Sequence, residues 1–167
     1  NLDSIKVEGD LGEFSVETDD VLESDWANNW KKYYKPTRVG EKIVIKPKWE
    51  DYTEKPGDVI LELNPGRAFG TGTHETTSMC ICELEKYVKN ESVVYDIGCG
   101  SGILAITAAK LNAKKILAVD IDEIAVEVAK ENAKENGVLE KIDIFKGDLA
   151  DKISKDQKAD VIVANIM

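Results

Sequence analysis

The chain has 167 residues, with 22 Lys and Arg against 32 Asp and Glu, a formal net charge of −10 at pH 7 and 43% hydrophobic residues. That length suits one domain of ordinary size, and the composition is globular rather than disordered. No apolar run approaches the ~20 residues a membrane span needs, the opening Asn1-Leu2-Asp3-Ser4 lacks the basic flank and apolar stretch of a secretion signal, and the acidity argues against a general binder of nucleic-acid backbones.

Charge is uneven along the chain. Residues 1–25 hold nine acids and one lysine, residues 26–56 eight bases and four acids, and the remainder is acidic again. An acidic lead-in, a connector and a main domain are therefore expected. In the connector, Trp26, Trp30, Tyr33 and Tyr34 recur at helical spacing after the N-cap candidates Ser24-Asp25, and Pro36 ends that helix. Lys42-Ile43-Val44-Ile45-Lys46 reads as a short strand closed by Pro47.

From about Pro56 the pattern is regular. A strand is predicted over Val59–Leu63, then a Gly- and Thr-rich loop and a helix from Glu75 to Val88. Val93–Ile97 reads as a buried strand, followed by a glycine turn and a helix over Ile103–Leu111. Ile116–Val119 is the next strand, running into Asp120, and Glu123–Asn136 is an amphipathic helix closed by Gly137. Ile142–Phe145 and Asp160–Ala164 complete the strands. Alternating strands and helices imply a parallel sheet with helices on both faces, and a ligand site beyond the carboxyl ends of the strands. Three cysteines (Cys80, Cys82, Cys99) cannot all pair, and with one histidine they make a poor zinc set. No metal site is expected, and reduced thiols in the cytoplasm are the simplest reading.

The sharpest feature is Asp96-Ile97-Gly98-Cys99-Gly100-Ser101-Gly102, a strand-to-helix turn whose glycines allow close backbone approach to a ligand. It is not the dinucleotide G-x-G-x-x-G fingerprint, because the third glycine position holds Ile103 or Ala105. Asp96 would repel a pyrophosphate at the helix N-terminus but suits a ligand bearing an ammonium and a sulfonium, such as S-adenosyl-L-methionine. Asp120, at the end of the second strand of the unit, can accept hydrogen bonds from ribose hydroxyls. Asp122 competes with it as helix cap. Asp148, after the third strand, can accept from an adenine amine. His74, the one histidine, is read as a cap or loop-fixing residue before a general base.

The stretch Asn64–Thr77, the turn Asp96–Gly102 with Ile103-Leu104-Ala105, Ala118–Asp122 and the terminal Val163-Ala164-Asn165-Ile166 closely resemble the PrmA family, which methylates large-subunit ribosomal protein eleven. Asp25–Pro36 resembles the family's linker. The resemblance implies a Rossmann-like class I S-adenosylmethionine-dependent methyltransferase sheet, truncated here, with a small, incomplete N-terminal α+β domain. Residues 1–24 would be the remnant of a substrate-recognition domain, 25–56 a linker helix and strand, and 57–167 the methyltransferase core, incomplete at its C-terminus. It implies cofactor contacts at Thr77, Gly98, Asp120 and Asn165, beside those expected of Asp96, Gly100, Gly102 and Asp148. Phe69, Gly70, Thr71, Gly72, Thr73 and His74 would lie over the methyl site, and Asn165 would orient the attacking amine. The acceptors it implies are the N-terminal α-amine and lysines of the ribosomal protein. A methyltransferase for a nucleic-acid or small-molecule acceptor, and a non-catalytic cofactor-binding module, are the alternatives.

Overall fold

The computed structural model describes residues 34–63, 74–148 and 158–166. The aromatic helix expected over 26–34, the acidic lead-in and the loop 64–73 lie largely or wholly outside those residues. Strands β1 (Thr37–Val39) and β2 (Ile43–Lys46) form an antiparallel hairpin, and β3 (Val59–Glu62) runs parallel to β2. The sequence pattern places β3 at the head of the main parallel series, whereas it completes this separate three-stranded sheet, Ile43 facing Val59 and Ile45 facing Leu61. The apolar run Ile43-Val44-Ile45, all three buried, supplies the partner that captures it. β1 is not foreseen because only Val39 of its three residues is buried.

Helix α1 (Glu75–Tyr87) is anchored on the hairpin by a single carboxylate. Glu85 accepts the backbone N–H groups of Glu41, Lys42 and Ile43 at 2.7 to 3.0 Å. Gly40, at φ +69°, makes the tight turn that gathers those donors, and a Cβ on it would collide with the Glu85 carboxylate.

The second sheet has the order β6-β5-β4-β7, all parallel, from β4 (Val93–Ile97), β5 (Lys115–Asp120), β6 (Ile142–Lys146) and β7 (Val161–Ala164). Helix α2 (Ile103–Lys110) links β4 to β5, and α3 (Glu123–Glu135) with a 3-10 turn (Leu139–Lys141) links β5 to β6. Every residue of α2 from Ile103 to Ala109 is buried, as its all-round apolar sequence ILAITAA requires. Val94, Ile116, Ala118, Ile142 and Ile144 alternate along the strands and join the apolar residues of α1, α2 and α3 in one core. The described helices therefore share one face of the sheet, where helices on both faces were expected. Strands added in one direction by crossovers of one hand keep their connecting helices on one side. The chain crosses to the far side of β4 only between β6 and β7, where residues 149–157 lie outside the described set. No helix of the described residues is long and apolar enough to cross a membrane.

Candidate functional site

The strand order reverses at β4, with β5 on one side and β7 on the other, so a crevice opens at their carboxyl ends. The glycine turn springs from β4 at that point. Gly98, Gly100 and Gly102 all adopt positive φ (69°, 52° and 78°), a region costly to any residue with a Cβ. Gly98 N–H and Cys99 N–H both donate to the Val119 carbonyl on β5, and Gly102 N–H closes the turn on the Cys99 carbonyl at 2.8 Å. A Cβ on Gly98 would run into Ile166, so the turn lies directly against the chain leaving β7.

Asp120 sits beside the turn, half-buried. Its Oδ2 accepts Gly100 N–H at 2.8 Å and its Oδ1 accepts Asp122 N–H at 3.0 Å. A carboxylate offers about four acceptor sites, so about two remain for a ligand's hydroxyls. The competition for the helix cap is resolved: Asp122 caps α3, accepting Ile124 N–H at 2.9 Å, which leaves Asp120 for the site. Asp148 follows β6 and is exposed, while Lys146, the residue paired with Asp120 across the strands, reaches Glu123 instead.

Asp96 is placed differently from Asp120. It shares the helix-facing side of β4 with Val94 and is fully buried. Its Oδ2 accepts the N–H of Ala105 at 2.9 Å and so caps α2, whose own N-cap, Gly102, has no side chain to do so. Its Oδ1 has no hydrogen-bond partner. Burial pushes this carboxyl up to about 7; the Ala105 bond opposes the rise and the charge of Asp120 adds to it. Burial likewise raises the Cys99 thiol, and the three cysteines are free.

Across the crevice, Thr77 and Asn165 meet. Asn165 follows β7 and donates from Nδ2 to Thr77 Oγ1 at 3.1 Å, with Thr77 buried in the first turn of α1. Nδ2 is thereby engaged and Oδ1 is left as acceptor. His74 is the N-cap of α1, its Nδ1 accepting Thr76 N–H at 3.4 Å and lying 2.8 Å from Thr76 Oγ1. Phe69, Gly70, Thr71, Gly72 and Thr73 lie outside the described residues. The structure thus brings Thr77, Asp96, Gly98, Gly100, Gly102, Asp120 and Asn165 to one end of the sheet.

Two buried polar positions escaped the sequence reading. On α3, Asn132 donates from Nδ2 to the Ser101 carbonyl at 2.8 Å, and Asn136 bonds both Glu62 N–H and Glu62 carbonyl at 2.9 and 2.7 Å. Both asparagines are buried, in phase with Ala125 and Ala129, and that polar break in an apolar stripe is the signal that could have found them.

The donor set fits S-adenosylmethionine. Two carboxylates flank the turn and no Lys or Arg occurs from Asp96 to Ala109, which suits a cation with a ribose diol and not a diphosphate. The orphaned Asp96 Oδ1 is an acceptor without a donor in the protein alone.

Comparison with known proteins shows the family. The family model described as ribosomal protein L11 methyltransferase (PrmA) matches residues 2–167. A protein of that name from Clostridium botulinum (strain Eklund 17B / Type B) is 58% identical over 158 residues, 95% of this chain and 50% of the relative. One from Thermoanaerobacter pseudethanolicus is 55% identical over the same length and shares. The chain spans about half the length of the curated relatives it matches. The crystal structure of a ribosomal protein L11 methylase from Lactobacillus delbrueckii subsp. bulgaricus superposes with a TM-score of 0.68 at 40% identity, covering 80% of this chain and 67% of that one.

Proposed function

Because the chain belongs to the ribosomal protein L11 methyltransferase (PrmA) family, we propose that it forms the S-adenosylmethionine site of an enzyme that methylates amines of ribosomal protein L11. The observation that carries the reading is Asp120 bonded to Gly100 N–H beside three positive-φ glycines at the point where the strand order reverses. In this reading Asp120 holds the ribose hydroxyls, the bare backbone of Gly98, Gly100 and Gly102 lets the cofactor approach, and Asp148 accepts from the adenine amine. When bound, S-adenosylmethionine supplies an electrophilic sulfonium methyl.

The chain's part in the chemistry is to present a neutral amine in line with that methyl. Enclosure of the amine lowers its pKa and favours the neutral nucleophile. Asn165, oriented by its bond to Thr77, accepts from the amine through Oδ1 and fixes its lone pair. Proximity and alignment then supply most of the rate, with no dedicated base; His74 acts as a helix cap. The acceptors are the N-terminal α-amine and lysines of L11. The division into residues 1–24, 25–56 and 57–167, with the first part in substrate recognition, and a cytoplasmic site of action belong to the same proposal.

Calorimetry with S-adenosylmethionine and with NAD tests the cofactor. Preferential NAD binding overturns it, and so does an Asp120→Ala variant, folded by circular dichroism, that does not lose affinity by about tenfold or more. Methyl transfer to purified L11, set against RNA and small amines, tests the acceptor.

A further inference from the structure

Helix α3 presents one stripe to the glycine turn. A Cβ on Gly102 would lie 2.9 Å from the Ala129 Cβ, so the helix backbone packs hard against the turn there. One turn further along, Asn132 donates to the Ser101 carbonyl, and another turn on, Asn136 bonds the Glu62 backbone and the Asn132 carbonyl. Asparagine is a poor residue for a helix interior, and a buried amide is costlier than the alanine found at Ala125, Ala129 and Ala133. Packing alone would therefore select alanine at position 132. What only an amide can do there is hold a main-chain carbonyl of the turn in one orientation.

From this stripe we infer that Asn132 is a positioning residue for the cofactor, fixing the Ser101 peptide and with it the Gly100–Gly102 backbone that the ligand must approach. The inference rests on the S-adenosylmethionine reading above. Ser101 is buried, so removing the amide takes one hydrogen bond from an enclosed carbonyl. Rotation of that peptide would carry the adjoining N–H of Gly102 off the Cys99 carbonyl, and strain would pass to Gly100 N–H, whose partner is Asp120. The ribose carboxylate and the turn are thus linked through a residue that touches no ligand. Asn136 serves a different end of the helix. It ties α3 to β3, and the hydrogen bonds of its side chain go to the Glu62 backbone and the Asn132 carbonyl, not to the turn.

That difference provides the control. Asn132→Ala and Asn136→Ala each remove buried amide bonds from the same helix, and each lowers Tm. If Asn132 positions the turn, Asn132→Ala raises the calorimetric Kd for S-adenosylmethionine by about tenfold at a temperature where circular dichroism shows it folded, whereas Asn136→Ala leaves Kd within about twofold. Equal losses of affinity in both variants would reveal a merely structural role and overturn the inference, as would an unchanged Kd for Asn132→Ala. Wild-type protein that fails to bind S-adenosylmethionine would overturn the cofactor reading itself, a distinct outcome.

Discussion

Replacing Asp96 by asparagine should change how stability depends on pH. The carboxyl is fully buried and raised from its usual 3.8 to about 7, mainly by burial. Between those values the folded chain binds more protons at this site than the unfolded chain, so stability falls as pH rises. In the fully ionised form the shift costs about 4 kcal/mol, because each tenfold change in an equilibrium is worth about 1.4 kcal/mol. About 2–3 kcal/mol of that accrues between pH 5 and pH 8. The substituted side chain is nearly isosteric, and its carbonyl can accept the Ala105 N–H that Asp96 Oδ2 takes now. Its amide would stand where Oδ1 has no partner, at a cost of about 1–3 kcal/mol that does not vary with pH. Urea unfolding of wild type and Asp96→Asn at pH 5 and pH 8 isolates the effect of Asp96 and of the groups coupled to it, chiefly Asp120, because groups that do not interact with it cancel in the double difference. The variant should gain about 2–3 kcal/mol on the wild type over that interval. Parallel pH profiles would refute the argument, since they would mean that Asp96 titrates alike in the folded and unfolded chains.

Two further changes probe the backbone turns. Gly40→Ala places a Cβ on the Glu85 carboxylate at φ +69°. It should cost about 3 kcal/mol from left-handed strain and loss of the N–H bonds Glu85 accepts. A denaturation midpoint unchanged from wild type would rule this out. Gly98→Ala collides with Ile166, and it should lower both Tm and S-adenosylmethionine affinity. Trimming the obstacle in a Gly98→Ala, Ile166→Ala pair should restore part of the loss, and a strictly additive double-mutant cycle would show that the two do not touch.

The elements best legible in the sequence are those whose signals are local. The run Val93–Ile97, the glycine turn and the amphipathic stretch to Asn136 each announce themselves over a short span of chain, and Asp122 and His74 cap their helices as their positions allow. What escaped depends on partners far along the chain. β3 reads as part of the main series, and only the apolar β2 beside it explains its capture into a second sheet. Glu85 resembles any acid on an amphipathic helix, yet its partners lie more than 40 residues away in the hairpin. Asp96 is the instructive case. Its alternation with Val94 points it toward the helices, so its enclosure was readable from the strand period, whereas its capping bond to Ala105, nine residues on, was not.

The two ends of the crevice rest on different foundations. Three positive-φ glycines in five residues persist only where their surroundings over-determine them. Here most of those surroundings come from one contiguous unit. The Val119 carbonyl receives two N–H groups, Asp120 holds Gly100, Asp96 holds Ala105, Ala129 closes on Gly102 and Asn132 holds Ser101, all within residues 96–132. In the proposed reading the cofactor end is therefore held mainly by a single strand–helix–strand–helix unit, with Ile166 against Gly98 as its contact from β7. The opposite end joins Thr77 to Asn165, 88 residues apart in sequence, and exists only because β7 returns to pair with β4. If the proposed reading holds, a perturbation that loosens β7 should weaken the placement of the acceptor amine more than that of the cofactor. In the proposed reading, substrate positioning and cofactor binding are in this way separable by topology, even though they share one crevice.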